Sequence, residues 1–236
     1  MHILAFDSCF GAVSVAVAHK DAAGARLLVE TFERRRAGHA ERLLPMVAEA
    51  MTRAGIGFPE LGRIAVTLGP GTFTGVRTGI AAARALVLAS RCPAVGVGTL
   101  AALAFAAKAE LGAKAVARPM AVALAARPGL VYFQHFSAGA AALSAPALLA
   151  PQACAELLAG VPAIVVGSAA ASIKELLEAG GATSVAIETE LADAEPRAAA
   201  VAMLGSELAS GHPLQPLYLR APDAKPQAGA LPRANS

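Results

Sequence analysis

Residues Leu68–Gly79 read LGPGTFTGVRTG. RIAVTLG (63–69), which leads into them, is an apolar run with β-branched residues, and VRTGIAAARALVLAS (76–90) continues them with small and aliphatic residues at helical spacing. AVGVG (94–98) follows as a further strand. Strand, glycine loop, helix and strand form a β-loop-α-β unit, and such a crossover implies parallel pairing of its strands. The loop is not a P-loop, because Gly75 is followed by Val76 where a lysine must reach the terminal phosphates. Nor is it a dinucleotide fingerprint: Gly69, Gly71 and Gly75 are spaced G-x-G-x-x-x-G, with no acidic residue at the position for a ribose. Two readings stay open. Free amides with Thr72, Thr74 and Arg77 can hold an anion at the helix N-terminus, or the glycines permit an unusual backbone path and Thr72 or Thr74 caps the helix.

Along that helix Gly75, Gly79 and Ala83 recur every four residues and form a stripe without bulk, with Ala82 and Leu86 beside it. Side chains at a contact set the separation of two packed helices, so the stripe suits a close neighbour. Periodicity alone does not choose between a neighbour in the core and one across a subunit interface.

Upstream, HILAF (2–6) and AVSVAVA (12–18) are joined by DSCFG, and ARLLVETFE (25–33) follows a KDAAG turn, which predicts three sequential antiparallel strands. HAERLLPMVAEAMTRAG (39–55) places Ala40, Leu43, Leu44, Val47, Ala50, Met51 and Ala54 at helical spacing and ends on Gly55. Pro45 predicts either a helix start near it or a kink, since an internal proline removes a hydrogen bond at about 3 kcal/mol. The first sheet is therefore mixed. Downstream the pattern partly recurs, with strands at 118–125, 130–136 and 143–149, a helix at 151–159, the strand AIVVG (163–167), the helix AASIKELLEAG (170–180) and the strand SVAIE (184–188). This reads as a first lobe over 1–105 and a second, smaller α/β lobe over 106–195, with a helix at 196–210 that opens on Pro196 and returns to the first lobe. The tail, 221–236, is rich in Pro and Ala with scarcely any large apolar side chain, the composition of a disordered segment.

At 236 residues, 56% hydrophobic and 16% charged, the chain has ample material for buried cores, and with 4% aromatics and no Trp those cores are built of small residues. The longest charge-free stretches, 92–107, 128–155 and 157–173, each carry Pro or Gly, which predicts no membrane span. The opening MHILAFD puts Asp7 where an export signal needs an apolar core, which predicts a cytoplasmic protein. Cys9, Cys92 and Cys154 are odd in number and far apart, hence buried thiols rather than a disulfide or metal framework. Residues 1–105 carry 11 Lys and Arg against 7 Asp and Glu, whereas the remainder carries 9 against 10. The run Arg34-Arg35-Arg36 lies within the basic part and reads first as a solvated turn at a helix entry.

Catalytic groups are sparse. The histidines, His2, His19, His39, His135 and His212, form no H-x-x-x-H pair, so no helix face carries two metal ligands, and His39 reads as a cap at its helix entrance. No G-x-S-x-G elbow is present. Asp7, directly after the first strand, is the one carboxylate whose position looks selected: it can orient metal-bound phosphates or bond turn amides.

FDSCFGAVSVAV, GHAERLLPMV, LGPGTFTGVRTGIAAARAL and PLYLRAPDAK, in this order, resemble the signature segments of the TsaB proteins of tRNA threonylcarbamoyladenosine biosynthesis. The resemblance implies a two-lobed actin-like ATPase or ribonuclease H-like α/β fold with mixed sheets. It further implies a subunit without a catalytic site, metal or cofactor of its own, which activates a TsaD-like catalytic subunit holding ATP and a metal ion. A TsaE-like ATPase would be a third member, tRNA would be met indirectly, and the isolated chain could pair with itself. First-lobe helices carry the pairing in that family, which gives His39, Leu43, Val47, Gly75, Gly79 and Ala83 an interface reading; Leu43 stands where the catalytic relative has its second histidine. Asp7, Gly71 and Thr72 are the candidates for a residual nucleotide contact. The chain departs from the family at Ser8 and Cys9, usually Thr and Ser, and at Ala125, usually Asp. The rival readings are a metal-dependent glycoprotease-type peptidase, which predicts a tightly held metal, and a nucleotide-binding phosphotransferase, which predicts saturable ATP binding.

Overall fold

The computed structural model describes residues 1–112, 118–181, 186–187, 191, 193–211 and 213–219. The meander opens it as predicted: β1 (His2–Asp7), β2 (Ala12–Asp21) and β3 (Gly24–Arg34) are antiparallel neighbours. After α1 (His39–Ala54) come β4 (Leu61–Thr67), α2 (Phe73–Ser90) and β5 (Ala94–Val97). β4 pairs in parallel with both β1 and β5, so the first sheet is mixed, in the order β3-β2-β1-β4-β5.

Strand alternation decides what each face covers. From β1 and β4, Leu4, Phe6, Ile64 and Val66 point to one face, where they pack with Leu43, Met46 and Val47 of α1 and Val76 and Ile80 of α2. Ile3, Ala5 and Ala65 point to the other, against α3 (Thr99–Leu111) and α6 (Ala198–Glu207). Each large side chain buried in this way contributes about 1.5–3 kcal/mol. α1 runs from His39 on past Pro45, so it does not start there, and stops at Gly55, whose left-handed φ of 68° closes it. α2 begins at Phe73, three residues ahead of the predicted 76–90, because Thr72 supplies its cap.

The second sheet holds β6 (Met120–Arg127), β7 (Leu130–Phe136), β8 (Ala147–Leu149), β9 (Ile164–Val166) and β10 (Ala186–Ile187), in the order β10-β9-β6-β7-β8. β6, β7 and β8 are antiparallel, and β9 pairs in parallel with β6 and β10, so the topology of the first sheet is repeated strand for strand. α4 (Pro151–Leu158) and α5 (Ala170–Ala179) take the places of α1 and α2. The strand predicted over 143–149 forms only at its last three residues. Helix α3 was not anticipated: TLAALAFAAKAEL has almost no polar face, because Leu100, Leu103 and Ala107 belong to the second lobe's core while Ala102 packs with the first. It crosses residue 105, so the passage between the lobes is itself a helix. The tail, 221–236, along with His212 and most of SVAIE, lies outside the described residues. No helix among the described residues is long and apolar enough to cross a membrane.

Candidate functional site

The site is built where β1, the glycine loop and the first turns of α1 and α2 converge. Asp7 is wholly buried at the end of β1. Its Oδ1 accepts from the Thr67 hydroxyl at 2.5 Å and its Oδ2 from the Cys9 amide at 3.2 Å, while the Cys9 thiol donates to Thr67 Oγ1 at 3.2 Å. Burial pushes the Asp7 carboxyl up to about 6 against these bonds, and burial with the neighbouring Asp7 charge raises the Cys9 thiol as well. Asp7 thus takes the second role open to it and bonds the turn. All three cysteines are buried free thiols.

The glycine loop lies against the β1–β2 connection. The Thr72 amide donates to Cys9 O at 2.7 Å, the Ser8 hydroxyl to Gly75 O at 2.8 Å, and the Leu217 amide to Leu68 O at 2.7 Å. Thr72 Oγ1 accepts from the Gly75 amide at 3.2 Å, so the capping reading holds and falls to Thr72 rather than Thr74. A Cβ on Gly71 would sit 2.7 Å from Cys9 O, and one on Gly75 would fall on the Ser8 carbonyl oxygen. A Cβ on Gly79 would lie 3.1 Å from Ser8 Oγ and 3.3 Å from a Val66 methyl. The small-residue stripe is therefore spent inside the chain, where it lets α2 lie flush on the loop and on β4.

This corrects the interface reading residue by residue. Gly75, Gly79, Ala83, Leu43 and Val47 are all buried within the chain and cannot face a partner directly. His39 alone of the six is partly exposed, and its Nε2 lies 2.9 Å from the Phe10 carbonyl, tying α1 to the β1–β2 loop. Of the nucleotide candidates, Asp7 is sealed and Gly71 gives its close approach to Cys9, while Thr72 bonds Cys9 through its amide and stays exposed. Among the described residues no three His, Cys, Asp or Glu side chains are grouped so as to hold a metal ion.

The opposite, outward faces of α1 and α2 were not singled out in the sequence. The helices pack side by side and cover one face of the sheet. Outward they present Ala40, Ala48, Ala81 and Ala85 around large apolar groups: Leu44 is 49% exposed, Phe73 56% and Leu88 83%. Phe73 stacks on Tyr218 at 5.9 Å, with the Arg77 guanidinium 3.6 Å over the Phe73 ring and its Nε donating to the Tyr218 hydroxyl at 2.8 Å. Helical spacing groups Ala40 and Leu44 with Leu43 and Val47, but the structure turns Ala40 and Leu44 outward and buries the other two.

The fold and site define a class: a two-lobed actin-like α/β protein with duplicated mixed sheets, in which the first-strand carboxylate and the glycine loop are occupied by the chain's own groups. A family model described as TsaD: tRNA N6-adenosine threonylcarbamoyltransferase matches residues 33–211. The chain belongs to this family, and within it stands with the TsaB/YeaZ proteins. It is 37% identical over 136 residues to the tRNA threonylcarbamoyladenosine biosynthesis protein TsaB of Escherichia coli K12, covering 58% of this chain and 55% of that protein. The chain spans about half the length of the curated TsaB relatives it matches. An uncharacterized Mycobacterium tuberculosis protein is 31% identical over 232 residues, 96% of this chain and 95% of its own. The solved structure of YeaZ from Pseudomonas aeruginosa superposes with a TM-score of 0.76 at 28% identity, over 92% of this chain and 99% of that one.

Proposed function

We propose that the chain is a non-catalytic, cytoplasmic subunit of a tRNA threonylcarbamoyladenosine synthase, which pairs with a TsaD-like catalytic subunit through the outward faces of α1 and α2. The carrying observation is the exposure of Leu44, Phe73 and Leu88 on those two helices, set among alanines and the charged Glu41, Glu49, Arg53, Arg77 and Arg84. Large solvent-exposed apolar groups on adjoining helices mark an association surface. The position of Leu43 supports the division of labour, since it is buried in the core where the catalytic relative carries a second metal-binding histidine. The chemistry, transfer of a threonylcarbamoyl group from its adenylate to an adenosine of tRNA, then lies in the partner with its ATP and metal, and a TsaE-like ATPase completes the set. This subunit acts by binding one conformation of the partner more tightly than others, which shifts the population towards it.

The experiment is size exclusion with light scattering on the chain, on its organism's TsaD homologue and on their mixture. A mixed complex whose mass is the sum of one or two copies of each is the expected result. Two proteins that elute unchanged would remove this reading and move the nucleotide-binding phosphotransferase forward, to be checked by ATP titration of the chain alone.

A further inference from the structure

The run Arg34-Arg35-Arg36 is absorbed by none of the above, yet it does not sit on an open turn. The three arginines line a cavity of about 950 Å³ together with His39, Thr72 and Thr74, where the first turns of α1 and α2 meet. Glu41 is the one carboxylate among its lining residues. Two of the arginines are braced: Arg34 donates through one Nη to the Asp193 carbonyl at 2.7 Å, and Arg35 pairs with Glu33 at 3.4 Å and donates to the Ala37 carbonyl. Arg36 is exposed and makes no hydrogen bond or ion pair with any described residue. A guanidinium has five donors, so most of those at Arg34 and all of those at Arg36 stay available to an anion.

We propose that this cavity binds phosphodiester groups of an RNA chain. Phosphate is the matching chemistry, because planar guanidinium forks take its oxygens in pairs. A polynucleotide fits better than a free nucleotide for two reasons. Apart from Phe10 the apolar lining is Ala37 and Ala40, which offers no slot for a base, and the Phe10 ring already packs edge-on against Tyr132 at 6.1 Å. The carboxylate that would steady a metal-bound triphosphate, Asp7, is sealed by Thr67 and Cys9. Phosphodiesters need neither group, since backbone contacts position a strand without reading its bases. The assignment rests on the tRNA-modification reading, and it makes this subunit touch the substrate itself.

The test is binding of a labelled tRNA transcript to the full chain across a salt series, for the wild type, Arg34→Ala with Arg36→Ala, and Arg53→Ala. Arg53 lies in the last turn of α1, roughly 20 Å along the helix from the cavity, and serves as the control. The double variant should lose at least about tenfold in affinity and flatten the plot of log K against log salt by about 1 to 2, while the control stays at wild type. Circular dichroism on the same samples checks that the fold is kept. No binding by the wild type, or equal binding by the double variant, overturns the site. Saturable ATP binding that the double variant loses, with no RNA binding, overturns the polynucleotide assignment in favour of a nucleotide. Light scattering with the TsaD homologue on the same proteins separates the two claims: pairing without RNA binding sinks the cavity and leaves the subunit standing.

Discussion

The two lobes share one strand order and differ in what surrounds it. In the first, strands of 10 and 11 residues lie under α1 while α2 rests on β4, and Leu44, Phe73 and Leu88 of the two helices stay exposed. In the second, β8, β9 and β10 are only 3, 3 and 2 residues long, Cys154, Leu158, Ile173 and Leu177 of α4 and α5 are drawn inward onto the sheet, and Leu157 is the large apolar side chain those helices leave exposed. The loop after the crossover strand is tied differently in the two lobes: Thr72 N bonds Cys9 O, beyond the end of β1, whereas Ala169 N bonds Ala123 O within β6 itself. Topology alone thus does not make a site. What sets the first lobe apart is the arginine turn at the entry of α1 and the exposed Leu44, Phe73 and Leu88 on its two helices.

Five changes probe this contrast. The largest effect belongs to Gly75→Ala, whose new methyl meets the Ser8 carbonyl and must push α2 off the β1–β2 loop. A loss of about 3–5 kcal/mol in urea unfolding is expected, and a stability within 1 kcal/mol of wild type, as an order of magnitude, would show that the loop is not clamped as described.

Asp7 comes next. Its folded carboxyl titrates at about 6 against 3.8 ordinarily, so in the native state it keeps a proton that the unfolded chain has already lost between those pH values. That contribution is full below the unfolded value and disappears as pH rises through about 6, by about 3 kcal/mol. Unfolding free energy of the wild type, measured against Asp7→Asn from pH 4 to 7, should fall by that order; parallel profiles would contradict the burial.

Leu44→Glu with Leu88→Glu places two charges on the outer helix face without touching the core. Pairing with the TsaD homologue should weaken at least about a hundredfold by calorimetry, or about 2.7 kcal/mol, with thermal stability of the isolated chain unchanged. Gly79→Leu makes the complementary case, since it should lower stability because Ser8 and Val66 close over that position. The smallest effect is Gly129→Ala in the β6–β7 turn, where φ is 77° and the space is open: about 1 kcal/mol by thermal melting, with association untouched.

Much of the fold was legible because its signals are local. The alternation in AVSVAVA, the glycine stop at Gly55 and the β-loop-α-β punctuation of LGPGTFTGVRTG each belong to one element. α3 was illegible for a physical reason, as a helix buried between two cores keeps no polar stripe to reveal its period. At the site, the stripe of Gly75, Gly79 and Ala83 was visible, but the direction it faced was not. Spacing shows that a helix can be approached closely, and only the tertiary fold shows that β4 and Ser8 do the approaching. Arg36 was likewise visible as a charge, while the cavity it lines is assembled from residues far apart in sequence, among them Arg34–Arg36 and Thr72 with Thr74.

The central claim is that this chain contributes a surface and the partner contributes the chemistry. Its most direct test is the rate of threonylcarbamoyl transfer to tRNA as the chain is titrated into a fixed amount of the TsaD homologue, with the TsaE-like ATPase present. No transfer by the chain alone is expected, and the rate should rise to a plateau near equal stoichiometry. Transfer by the chain alone, or a rate indifferent to its addition, would contradict it.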